Sequence, residues 1–157
     1  MTIVNNVIDL QIACAEDSLP AIEQFQIWID TTLATLANGQ SQQVFELTIR
    51  LAEIEESQQL NHQYRDKNKP TNVLSFPFEV PDDIELNLLG DLIICTDIVK
   101  QEANEQNKAI IDHWTHLVIH GCLHLVGFDH ISDDEAEELE TLEISILAKL
   151  GVSNHYE

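Results

Sequence analysis

From Val7 to Ala13 apolar and polar residues alternate, the period of a strand with one covered face. Pro20 to Ala37 changes to helical spacing, with Ile22, Phe25, Ile29, Leu33 and Leu36 on one stripe, and Asn38-Gly39 stops it. Val44 to Leu51 predicts a second strand, followed by a short helix from about Ala52 to Leu60. Thr71 to Phe78 is rich in Val, Leu and Phe and predicts a third strand. Pro77 cannot donate to a ladder, so this strand belongs at a sheet edge or ends there. Gly90-Asp91 leads into a fourth strand, Leu92 to Thr96, and Asp97 is placed to cap a helix reaching about Asn104.

Ile110 to Val126 predicts the central helix, with Ile110, Trp114, Leu117, Val118, Cys122 and Leu125 on its apolar stripe and Gly127 as its stop. Ser132-Asp133-Asp134-Glu135 opens a last helix with a capping-box pattern. Its expected buried face is Ala136, Leu139, Leu142, Ile146 and Leu150. Its acids read as a solvated face, with those of the first turn favoured by the helix dipole.

A chain of 157 residues fits one domain, residues 1–157, able to bury an ordinary core without staples. No run of 18 apolar residues occurs, and Met1 to Leu10 lacks the basic start and apolar stretch of a signal peptide. The expectation is a cytoplasmic protein with no membrane partner. Cys14, Cys95 and Cys122 are odd in number and form no CxxC pair, so each is expected to be a small core residue. The formal charge of −21 opposes non-specific nucleic-acid binding, which depends on Lys and Arg neutralising phosphates. Arg65, Lys67 and Lys69 nevertheless cluster, while the acids are densest from Asp133 to Glu143.

The chemistry concentrates in His120-Gly121-Cys122-Leu123-His124-Leu125-Val126-Gly127-Phe128-Asp129-His130. Two histidines four apart on a helix share a face, and both imidazoles can reach one ion at roughly 2.0–2.1 Å. Gly127 lets the chain turn, through a positive φ, and bring His130 round as a third ligand. Three neutral imidazoles leave a coordination position open, which is the catalytic pattern of zinc sites. A metal-bound water in that position becomes a nucleophile near neutral pH. The spacing matches a metzincin protease motif except that Gly121 stands where the protease has its general-base Glu, which counts against proteolysis. Asp129 adjoins His130 and suits a supporting or turn role. His113 and His116 lie upstream on a similar side, where they can line a cleft, shuttle protons or serve the structure.

With this run on the page, the chain resembles the YbeY family of bacterial rRNA maturation endoribonucleases. The match rests on residues 120–130, on Leu60-Asn61 through Tyr64-Arg65 to Thr71-Asn72-Val73-Leu74-Ser75-Phe76-Pro77, and on Gly90-Asp91-Leu92-Ile93-Ile94-Cys95. The likeness extends from about Phe45 to Leu150. It implies a single-domain α+β fold, a mixed four-stranded sheet packed against helices, with a metal cleft at the His-bearing helix. It implies one zinc-type ion on His120, His124 and His130, and cleavage of single-stranded RNA, including 16S rRNA 3′-end maturation and ribosome quality control. It implies partners on the small ribosomal subunit, and no DNA. By position Arg65 matches the family's cleft arginine, and a guanidinium suits a phosphate's paired oxygens. Lys67 and Lys69 are candidates for RNA backbone contacts. Asn72 and Ser75 either line the cleft or cap and pack their strand. A metal hydrolase of another substrate class and a non-catalytic assembly factor with a structural metal are the alternatives.

Overall fold

Strands β1 (Val7–Ala13) and β2 (Glu46–Ala52) pair in parallel, from Val7 against Glu46 to Ala13 against Ala52. The structure, a computed structural model, describes residues 6–16, 18–37, 44–78, 87–127 and 133–152. Strand β4 (Leu88–Cys95) lies parallel to β2 on its other side, and β3 (Val73–Pro77) closes the sheet antiparallel to β4, giving the order β1-β2-β4-β3. Pro77 therefore ends an edge strand, where a missing N–H costs no ladder bond. Among the described residues five helices accompany the sheet: α1 (Ile22–Leu36), α2 (Ile54–Arg65), α3 (Thr96–Glu105), α4 (Ile110–Leu125) and α5 (Asp133–Lys149). The architecture is α+β with a mixed four-stranded sheet, as the resemblance implied.

The main core joins α1, α4 and one face of the sheet. Phe25, Ile29, Ile49, Leu92, Ile94, Val118 and Cys122 are all fully buried there. Phe25 stands edge-on to Trp28 and to Trp114, with ring centroids 5.3 and 5.9 Å apart, an arrangement aromatic quadrupoles favour. A second cluster, Ile119, Leu123, Leu139, Ile146 and Leu147, packs α5 on the far side of α4. The central helix is thus apolar on two sides, which leaves one strip of its surface for polar residues. Leu60 of α2 packs with Ala52, Leu74 and Ile93 in a third cluster.

Most boundaries fall within two residues of expectation, and three differences matter more. Helix α2 runs to Arg65 and not to Leu60, and Asp66 stops it in the left-handed conformation at φ 57°. Strand β4 begins at Leu88, four residues before the apolar run that announced it. Asp97 does not cap α3: the strand leads directly into the helix, Cys95 is the cap residue, and Asp97 sits in the first turn, where a carboxylate meets the positive end of the dipole. Ser132, the expected cap of α5, lies outside the described residues.

Candidate active site

Residues 113, 116, 120 and 124 follow one another by three, four and four, so they form the polar strip of α4. That strip is the floor of a cleft of about 1020 Å³. The end of α2 and strand β3 form one wall, bringing Arg65, Asn72 and Ser75 to the cleft, while Glu102 and Lys108 come from α3 and the segment after it. Lys67 and Lys69 are exposed and are not among the cleft-lining residues. Arg65 is in place because α2 continues to it; a helix ending at Leu60 would not fix its position.

His120 and His124 meet nitrogen to nitrogen, with Nε2 atoms 3.0 Å apart and ring centroids at 4.5 Å. On its other side His120 Nδ1 contacts Oε1 of Glu143, whose second oxygen lies 3.1 Å from Nε2 of His116. Glu143 is fully buried. This corrects the sequence reading of α5, in which the acids formed a solvated face. Glu143 shares the inward stripe with Leu139, Ile146 and Leu147, while Ala136, Leu142 and Leu150 are only half-buried. The spacing 139, 143, 146 was the available signal, and it was obscured by a run of exposed acids on the same helix. His116 is half-buried and bonded, which fits a supporting role.

A second polar pair stands at the other end of the strip. His113, 3% exposed, has Nε2 2.9 Å from Glu102 Oε1, and Asn72 Nδ2 donates to the same oxygen at 3.0 Å. Burial lowers the His113 pKa, against the opposing pull of its bond to Glu102. Burial likewise lowers that of Lys108, which Glu102 counters. His113 and Asn72 were readable as possible cleft residues; Glu102, the partner that joins them, was not. Asn72 also accepts from the Val73 N–H at 2.6 Å, so both ends of its amide are engaged within the protein. Ser75 Oγ donates to the Gly121 carbonyl at 3.2 Å, tying β3 to α4.

Gly121 does more than omit a carboxylate. A Cβ there would stand 2.8 Å from Leu92 Cδ2 and 3.3 Å from Val73 Cγ2. The position faces β3 and β4, where α4 presses closely against the sheet. Gly127 adopts φ 106° after the helix, the turn the sequence predicted. His130 and Asp129, the expected third ligand and its neighbour, lie outside the described residues. Among the described residues no three His, Cys, Asp or Glu side chains gather to hold a metal. The two imidazoles present do suit one. Nδ1 of His120 meets a carboxylate, and its Nε2 faces a second Nε2 at a distance that one shared proton or one cation can bridge.

The histidine strip is thus the floor of an open cleft in a small α+β protein. The chain belongs to the endoribonuclease YbeY family, whose profile matches residues 11–151. A protein of Colwellia psychrerythraea (strain 34H) described as endoribonuclease YbeY is 71% identical over 151 residues, spanning 96% of this chain and 97% of that one. The solution structure of TM1509 from Thermotoga maritima matches 92% of each chain with a TM-score of 0.55 at 23% identity, a likeness of fold. No helix among the described residues is long and apolar enough to cross a membrane.

Proposed function

We propose that this chain cuts single-stranded RNA in the cleft above α4, using a zinc-type ion held by His120, His124 and His130. The observation that carries the reading is the 3.0 Å approach of the two Nε2 atoms, one of them backed by a buried carboxylate. Such an ion supplies, when bound, an activated water and positive charge for a phosphoryl oxygen. The protein's own part is orientation and charge. Glu143 braces His120 from behind and is itself bonded to His116. Arg65 faces the same cleft from α2, where its guanidinium can pair with two phosphate oxygens and steady charge developing on them. The general base is unassigned, and Gly121 cannot be replaced by one, since its position faces Leu92 and Val73. Action at the 16S rRNA 3′ end, docked on small-subunit proteins in the cytoplasm, suits a chain whose charge of −21 disfavours bare RNA.

The test is cleavage of an end-labelled single-stranded rRNA 3′ fragment by purified protein. Activity should fall at least about 100-fold with His124→Ala, the scale of a lost catalytic group, and vanish on chelation. Circular dichroism should stay unchanged in both cases. Unfolding on chelation would make the metal structural, and equal cleavage by His124→Ala would refute the site.

A further inference from the structure

We infer that Glu143 is a positioning residue, whose buried carboxylate holds the His120 proton on Nδ1 and so keeps Nε2 bare toward His124. An ionised carboxylate only accepts hydrogen bonds, so an imidazole nitrogen that meets it must carry the proton. One Glu143 oxygen meets His120 Nδ1 and the other lies 3.1 Å from His116 Nε2. Both protons are thereby assigned, and neutral His120 has its lone pair on Nε2. That atom is the one 3.0 Å from His124 Nε2.

Placement supports the assignment. A carboxylate with no exposure is unfavourable unless strong donors meet it. Here it stands between Leu139 and Ile146 on the inward stripe of α5, in a helix whose first-turn acids Asp133, Asp134 and Glu135 all face solvent. Helix α5 therefore does more than cover α4: it delivers one carboxylate to the back of the histidine pair. Carboxylates placed behind a ligating imidazole fix its tautomer and raise its basicity, and their loss commonly weakens metal binding about 10–100-fold.

The consequence for metal affinity rests on the proposed role of His120 as a ligand; the tautomer does not. The experiment therefore has two arms. Long-range ¹H–¹⁵N spectra of the metal-free protein, at about pH 8 where an ordinary imidazole is neutral, should show a protonated Nδ1 and a bare Nε2 on His120. Zinc titration of Glu143→Gln should give an affinity about 10–100-fold below wild type, with the thermal midpoint of the metal-free protein retained. Glu140→Gln, on the same helix, should bind as wild type does. A His120 protonated on Nε2, or undiminished affinity in a folded Glu143→Gln, overturns the inference. If wild type and His124→Ala bind zinc equally poorly, the ligand reading fails, and the tautomer alone decides the role of Glu143.

Discussion

The three cysteines show how burial decides reactivity one residue at a time. Cys122 is fully buried behind the histidine strip, and burial pushes its thiol pKa up to about 12. Burial also raises that of Cys95, in part opposed by backbone N–H groups at the start of α3. Only thiolates alkylate readily, so both should be inert in the folded protein. Cys14 is half-buried beyond β1 and is the one with access to solvent. Iodoacetamide at about pH 8, near the ordinary thiol pKa, should modify Cys14 alone in native protein and all three in urea, as read by mass spectrometry. Modification of native Cys122 would show that α4 separates from the sheet. The sequence placed Cys95 and Cys122 in the core because hydrophobic periodicity surrounds them, but it could not tell that Cys14 sits only part-way in. Burial of an isolated residue between elements depends on what packs over it, which a local pattern does not contain.

At the scale of elements, the contact of α4 with the sheet turns on Gly121. An alanine there gains about 1 kcal/mol of helix propensity but forces its methyl against Leu92, which is fully buried, at 2.8 Å. Overpacking of that kind costs about 1–3 kcal/mol, so Gly121→Ala should be neutral to about 2 kcal/mol less stable in urea unfolding. Gly121→Glu adds an unpaired carboxylate at the same spot and should lose at least about 3 kcal/mol. It should also gain no peptidase activity, whereas a stable, proteolytic Gly121→Glu variant would mean that this face of α4 opens. Periodicity and punctuation identified the nine elements of the described residues, most of them by an apolar stripe, although α2 buries the polar Ser57 and Asn61. It failed where one element runs into another, as when β4 leads directly into α3 at Thr96. It failed again at Glu143, because a residue's partner on another helix is not a local property. His120 and His124 were legible because their partnership lies within one helix turn.

For the whole molecule the governing quantity is charge. A net charge of −21 disfavours a polyanion, so contact with RNA must rest on a few cations. Arg65 and Lys108 line the cleft; Lys67 and Lys69, though basic and close in sequence, do not. Counterion release gives a slope of about −0.7 per phosphate neutralised on single strands. Two cations therefore set an expected slope of log affinity against log salt of about −1.4, made shallower still as salt screens the general repulsion. Arg65→Ala should remove about 0.7 of that slope and weaken binding of all sequences alike, since a phosphate contact carries no base identity. Lys67→Ala should leave the slope where it was. Fluorescence anisotropy with a labelled single strand, measured across a salt series with a catalytically dead variant, reads both. A slope several times steeper would mean that the RNA follows a longer basic path than this cleft. An unchanged slope in Arg65→Ala would remove the guanidinium from the phosphate. A shallow slope shared by wild type and Lys67→Ala alone would leave Arg65 as the principal anchor of a polyanion that the net charge of the chain otherwise disfavours.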